Sequence, residues 1–300
     1  MPSPEMQQMN DQLEEEKTKA ATLPDPSWTQ MREDYEQNAT LFPADPAAEA
    51  KALNLGGVPT LCFSGPGADE KRAVLYLHGG GYTIGGLGSH EAITSRLALA
   101  SQCPVYALDY RLAPEHPFPA AVDDVVSAFR ALVAGGLSPS RIAIAGDSAG
   151  GGLTVACLLA LRDAGDSLPA CAVPISPWMD LIGETGWAEA DEAIDPMVTI
   201  SSLHRMTRDY MAGGDARSPL ASPMFAELSG LPAMLIQVGT AEILLSDSTL
   251  FAERARQAGI DVTLEIEEGA PHVWHHFVPL VPEATAALGR IAAFVQQHTT

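Results

Sequence analysis

The sequence predicts an α/β fold, a mostly parallel sheet covered by helices on both faces. Three observations carry that prediction. From about residue 50, short apolar runs alternate with helix-like segments, the pattern of repeated βα units. Two glycine-bearing motifs, His78-Gly79-Gly80-Gly81 and Gly146-Asp147-Ser148-Ala149-Gly150, each close one of those runs. And 300 residues are enough for one large α/β core plus an appendage.

Taken in chain order, residues 5–20 and 27–38 have helical composition, and proline breaks follow at Leu23-Pro24-Asp25-Pro26 and Pro43 to Pro46. This segment is too short for a core of its own, so it is expected to lie across something else. Buried strands are predicted at 73–77, 104–109, 141–145, 171–176, 233–239 and 261–267, with helices near 89–100, 118–134, 148–164, 246–258 and 282–297. The alternation breaks once, between Asp180 and about Arg217. That stretch is acidic (Glu184, Glu189, Asp191, Glu192, Asp195) and then amphipathic through Leu203, Met206 and Tyr210. Residues 1–50 and 180–217 thus stand outside the alternation, which divides the core into 51–179 and 218–300.

The second motif reads G-x-S-x-G. It follows Arg141-Ile142-Ala143-Ile144-Ala145 and precedes a helix-like stretch, the strand–turn–helix context of a nucleophile elbow. The first motif follows Ala73-Val74-Leu75-Tyr76-Leu77, and its glycines can turn backbone N–H groups toward a developing oxyanion. Together, in this order, the two motifs point to a serine hydrolase with Ser148 as nucleophile. A free hydroxyl is a poor nucleophile near neutral pH, so a base must lie within reach. The order Ser…acid…His places that base after the last strand. His272, His275 and His276 all qualify. His272 is favoured because Glu268-Gly269-Ala270-Pro271 makes a loop that can present an imidazole. His275 and His276 read as surface or helix polarity.

These segments, with Tyr82, Asp109 to Ala120 and Pro271-His272, resemble the bacterial hormone-sensitive-lipase-like esterases, the group with GDSAG around the serine. The match covers about residues 50 to 298. It implies the α/β-hydrolase fold, an eight-stranded, mostly parallel sheet with a helical cap, and no metal or other cofactor. The interruption after the sixth strand matches the family's second cap segment, so residues 1–50 and 180–217 are expected to pack together as a lid over the catalytic face. It also implies oxyanion donors at the N–H groups of Gly80, Gly81 and Ala149. The family's acid is usually an aspartate in a loop reading roughly D-P-L-x-D. Here that segment is Gly239-Thr240-Ala241-Glu242-Ile243-Leu244-Leu245-Ser246-Asp247, and aligning the leucines puts Glu242 at the acid position. The rival is Asp247, otherwise a solvated carboxylate in a helix N-capped by Ser246. Asp147 reads as structural, and His78 as ordering the oxyanion loop. Tyr110 to Pro119 resembles a segment that braces that loop, with Arg111 and Glu115 as candidate members of the brace.

Composition narrows the function. The formal charge of −21 (38 acidic against 17 basic residues) argues against nucleic acid and anionic membranes. Solubility and salt adaptation both account for it. Met1 to Ala20 lacks an apolar signal region, so a cytoplasmic protein without membrane insertion is expected. Cys62, Cys103, Cys157 and Cys171 are widely spaced and read as reduced core residues. Asn38-Ala39-Thr40 fits a glycosylation sequon by chance. The inserted segment and the family resemblance imply a small-molecule ester with a short to medium acyl chain, in a pocket drawing on Tyr82, Met179, Leu203 and Met206. The same machinery would serve a lactone hydrolase. A silent receptor of this fold is disfavoured by the presence of His272. A homodimer remains open.

Overall fold

A computed structural model describes all 300 residues. Eight strands form one sheet: β1 (Glu49–Leu55), β2 (Val58–Ser64), β3 (Ala73–Leu77), β4 (Val105–Leu108), β5 (Ile142–Asp147), β6 (Cys171–Ile175), β7 (Ala233–Ala241) and β8 (Val262–Pro271), in the order β1-β2-β4-β3-β5-β6-β7-β8. β1 and β2 form an antiparallel hairpin, and β2 runs antiparallel to β4. All the remaining pairs are parallel.

The parallel strands are apolar because both their faces are covered. On β3, Leu75 and Leu77 enter a core with Ile142 and Ile144 of β5. This core packs under α4 (Ala120–Ala134), α5 (Ala149–Asp163) and α7 (Leu245–Gln257). Val74 and Tyr76 point the other way, joining Ala143 and Ala145 beneath α3 (Glu91–Ser101) and α8 (Pro282–His298). The period-2 alternation thus separates two apolar cores rather than a core from solvent.

The six strands predicted from the sequence are all present. β1 and β2 were not readable. β1 is exposed along most of its length, and β2 carries Pro59, which weakens a strand signal. Cys62, on β2, is only half-buried, whereas the other three cysteines are buried as expected; all four are free.

The N-terminal segment forms α1 (Pro4–Ala20) and α2 (Trp28–Ala39), and the interruption after β6 contains α6 (Ile200–Met211). A capping box, Thr199 with Ser202, starts α6, whose buried residues are Leu203, Tyr210 and Met211. The two segments touch. Lys17 Nζ donates to the carbonyls of Glu192 and Asp195, each at 2.6 Å. Trp28 Nε1 donates to Asp209 Oδ2 at 2.8 Å, and the Arg205 guanidinium sits 4.1 Å above the Trp28 ring. α1 also reaches the sheet edge: Ser3 bonds Glu283, and Asn10 Nδ2 donates to Gly269 O at 2.9 Å. No helix is long and apolar enough to cross a membrane.

Candidate active site

The chemistry-bearing side chains gather at the carboxyl ends of the parallel strands, where open α/β sheets place their sites. His78 follows β3, Ser148 follows β5, Glu242 follows β7 and His272 follows β8. At Ser148 the backbone turns sharply, with φ 53° and ψ −120°, a sparsely populated conformation for a residue with a side chain. The turn is tight enough that a Cβ on Gly146 would run into the Gly150 carbonyl, and one on Gly150 into the Leu77 carbonyl. The Ser148 N–H donates to Ile175 O at 2.8 Å, tying the turn to β6.

Ser148, Glu242 and His272 come together. Ser148 Oγ lies 2.9 Å from His272 Nε2, and Glu242 Oε2 lies 2.8 Å from His272 Nδ1. Glu242 is buried, and its other oxygen accepts from the Gly239 N–H at 2.6 Å and from Ser176 Oγ at 2.8 Å. Ser176 also accepts the N–H of Val273 at 3.2 Å, so one hydroxyl links the carboxylate to the histidine loop. Sequence reasoning missed Ser176. Its one distinguishing mark is a positive φ of 40°, which no pattern in the chain announces.

Burial is the largest single influence on His272 and pulls its pKa down. The Glu242 hydrogen bond and the charges of Glu242, Asp195 and Asp147 together outweigh it, so the pKa is raised above the ordinary 6.5. An imidazole held this way is a base whose protonated form the surroundings favour.

Gly80 and Gly81 have φ of 105° and 60°, and neither N–H donates to any protein acceptor. The Gly79 N–H is instead taken by His90 Nε2 at 3.2 Å. The loop is braced from several sides. His78 Nδ1 bonds Gly79 O at 2.7 Å, and burial drives the His78 pKa down to about 3, so this neutral ring donates. Tyr110 stacks on His78 and donates to its carbonyl at 2.7 Å. Arg32 of α2 donates to Thr83 O and Ala113 O, each at 2.8 Å, and pairs with Glu115. Arg111, the other brace candidate, pairs with Asp124 instead.

Four expectations need correction. His275 is not surface polarity: it is buried, bonds Gln237 Oε1 at 2.8 Å, and burial lowers its pKa to about 3. His276 lies beneath Tyr35 of α2, 3.8 Å from Asp147. Asp247 is not solvated. It is buried and accepts the N–H groups of Met179 at 2.6 Å and Asp180 at 3.0 Å, and Thr185 Oγ1 donates to it. Burial pushes its pKa up to about 7. Ser246 is not an N-cap, because α7 begins at Leu245 with no side-chain cap. For the two histidines and Asp247, segments distant in sequence cover polar residues that look exposed in one dimension.

Asp147 points away from Ser148 Oγ, accepting from Tyr76 OH at 2.8 Å beside His90 and His276. Burial acts most strongly on it and opposes its charge, but His90 and His276 prevail and hold the carboxyl well below the usual range. His90, Asp147 and His276 are donors of the metal-binding type, their ligand atoms within 4.8 Å of one another, yet they pair with each other and with Tyr76 and Gly79.

Of the residues expected around the substrate, Tyr82 stacks on Tyr210 at 3.9 Å, and the Met206 thioether lies directly over Gly81. Leu203 and Met179 are buried in the core.

Residues 74–276 match the family model described as the alpha/beta hydrolase fold. An acetyl-hydrolase of Streptomyces hygroscopicus is 46% identical over 234 residues, 78% of each chain. An esterase of Acinetobacter venetianus is 34% identical over 269 residues, 88% of this chain and 87% of that one. The crystal structure of an esterase from the bacterial hormone-sensitive lipase family superposes with a TM-score of 0.95 at 42% identity, covering 100% of both chains. With fold, motif order and sequence in agreement, the chain belongs to the hormone-sensitive-lipase-like esterases of the α/β-hydrolase family and is a serine carboxylesterase.

Proposed function

We propose that the enzyme hydrolyses short- to medium-chain acyl esters through an acyl-enzyme formed on Ser148. The observation that carries this reading is the unbroken relay from Ser148 Oγ through His272 to Glu242, with contacts of 2.9 and 2.8 Å. Ser148 Oγ attacks the ester carbonyl while His272 Nε2 takes its proton. The tetrahedral oxyanion is held by the N–H groups of Gly80, Gly81 and Ala149, the last of these at the N-terminus of α5. His272 then passes its proton to the leaving alcohol as the carbon–oxygen bond breaks. Water, losing a proton to His272, attacks the acyl-enzyme, and the acid leaves as Ser148 recovers its proton. Glu242 holds the imidazole in the productive tautomer and stabilises the imidazolium.

Residues 1–50 and 180–217 act as a cap over this machinery. Met206, beside Gly81, supplies apolar lining, with Tyr82, Met179 and Leu203 buried in the core it packs against. Tight packing of Met206 over Gly81 favours small acyl groups, as does the similarity to an acetyl-hydrolase.

The test is a panel of p-nitrophenyl esters of increasing chain length, with lactones alongside, assayed on the wild type and Ser148→Ala. Activity should peak at short chains and vanish in the variant, while a phosphonate probe labels Ser148 alone. Near-normal turnover in Ser148→Ala, or labelling of another serine, refutes the mechanism. An optimum on long chains or on lactones refutes the substrate class.

A further inference from the structure

Asp195 has no place in the chemistry above, yet its side chain is fully buried. It lies in the turn before α6, within the interruption of the α/β pattern. Its Oδ1 accepts the N–H groups of Met197 and Val198, both at 2.8 Å. Its Oδ2 crosses to the sheet and accepts the N–H of Ile243 at 3.0 Å. Ile243 is the residue immediately after Glu242. The turn carrying Asp195 is itself strapped from α1, where Lys17 donates to the carbonyls of Glu192 and Asp195. A chain of contacts therefore runs from the N-terminal helix, through the inserted segment, to the backbone beside the triad acid.

Burying a carboxylate is costly unless donors replace its lost water. Here three backbone N–H groups do so, and charge-assisted bonds of this kind are stronger and more directional than neutral ones. An apolar residue would fill the volume without the desolvation cost, but it could not accept from both the insertion's own turn and the strand end. It would also place no negative charge near His272, and Asp195's charge acts on that imidazole.

We infer that Asp195 is a positioning residue for ester hydrolysis: when the insertion is seated, it fixes the Glu242 loop against His272 and lends its charge to the imidazolium formed in turnover. The inference rests on the Ser148–His272–Glu242 reading. It makes catalytic competence depend on how the insertion docks, with no contact between Asp195 and substrate.

The experiment compares kcat and the pH dependence of kcat/KM on one short-chain p-nitrophenyl ester for the wild type, Asp195→Asn, Asp195→Glu, Lys17→Met and Glu242→Gln. The charged or titratable groups facing His272 are Glu242 at the end of β7, Asp195 in the insertion, Asp147 at the elbow and His276 on the histidine's own loop. In Asp195→Asn the amide nitrogen meets the Ile243 N–H, donor against donor, and the charge is gone. The expected result is a kcat lower by roughly tenfold, the effect of one misplaced hydrogen bond. The acid limb should move to lower pH, because a negative charge that favours imidazolium has been removed.

Asp195→Glu keeps the charge, so its acid limb should stay at the wild-type position whatever its kcat. An unmoved acid limb in Asp195→Asn overturns the inference, even with reduced kcat, since a residue that merely holds its turn would behave so. Should Asp195→Asn not fold, Lys17→Met decides: kcat should fall with the acid limb shifted the same way, and wild-type values for both overturn the coupling. Glu242→Gln separates the two levels. Full activity there removes the acid assignment and this inference with it, whereas a crippled Glu242→Gln beside an unmoved limb in Asp195→Asn removes this inference alone.

Discussion

Ser176 donates its hydroxyl to Glu242 Oε1 at 2.8 Å, which leaves Oε2 directed at His272. The Ser176 Oγ itself accepts the Val273 N–H, so one small side chain links Glu242 to the loop that carries His272. Ser176→Ala should therefore lower kcat by roughly tenfold with KM little changed, because it disturbs alignment rather than binding. It should also cost about 1–3 kcal/mol of stability, since the buried Val273 N–H loses its acceptor. Steady-state kinetics and denaturant unfolding on the purified variant check both.

Glu242 and Asp247 are both buried carboxylates, but only Glu242 touches His272. Glu242→Gln should reduce kcat by on the order of 10⁴, as loss of a triad carboxylate does. Glu242→Asp should retain part of the rate, since the charge stays and the reach shortens. Asp247→Asn should keep most of it. The reverse ranking in an ester assay would transfer the acid role to Asp247.

The pKa of Asp247 in the folded chain is pushed up to about 7, against an ordinary 3.8. A carboxyl raised in this way favours the folded state while protonated. Its contribution is fully present below about 3.8 and is lost as pH rises through about 7. Asparagine mimics the protonated form, with its oxygen facing the Met179 and Asp180 N–H groups and its nitrogen facing Thr185. Asp247→Asn should thus melt close to the wild type near pH 4 and gain on it progressively up to pH 8. Thermal melts across that range check the crossover, and parallel curves would show that Asp247 does not titrate there.

Deleting residues 1–45 removes Lys17, Trp28 and Arg32 together, and with Arg32 the bonds to Thr83 O and Ala113 O beside the oxyanion loop. The truncated chain should be less stable and bind hydrophobic dyes. It should lose up to roughly 10²-fold in kcat, the cost of displacing reacting groups by about 1 Å. Wild-type melting and turnover in the truncation would make the segment a dispensable tail.

Much of this site was legible in the chain because its constraints are local. The elbow admits only small residues around Ser148, and Glu242 and His272 each lie one residue past a strand. What was not legible depends on segments far apart in sequence. His276 is covered by Tyr35 of α2 and Asp247 by the 179–185 stretch, so both look solvent-facing when only neighbours in the chain are considered. β1 was hidden for the opposite reason: its residues are mostly exposed, and apolar patterning has nothing to report on such a strand. Ser176 and Asp195 carry no motif at all. Each meets partners that the fold brings alongside from distant segments, Glu242 and the Val273 N–H for Ser176 and the Ile243 N–H for Asp195.

β8 is one of the two edge strands, paired with β7 alone, and His272 is the first residue beyond it. Ser148 sits deeper, at the end of a strand paired on both sides. His272 and Ser148 thus belong to parts of the sheet with different resistance to local opening. Fraying of the margin parts His272 from Ser148 while the central strands stay intact, so heat would silence the enzyme before it unfolds. Amide exchange along residues 262–271 would follow the loss of turnover, while the amides of β3 and β5 would stay protected until the whole domain gives way.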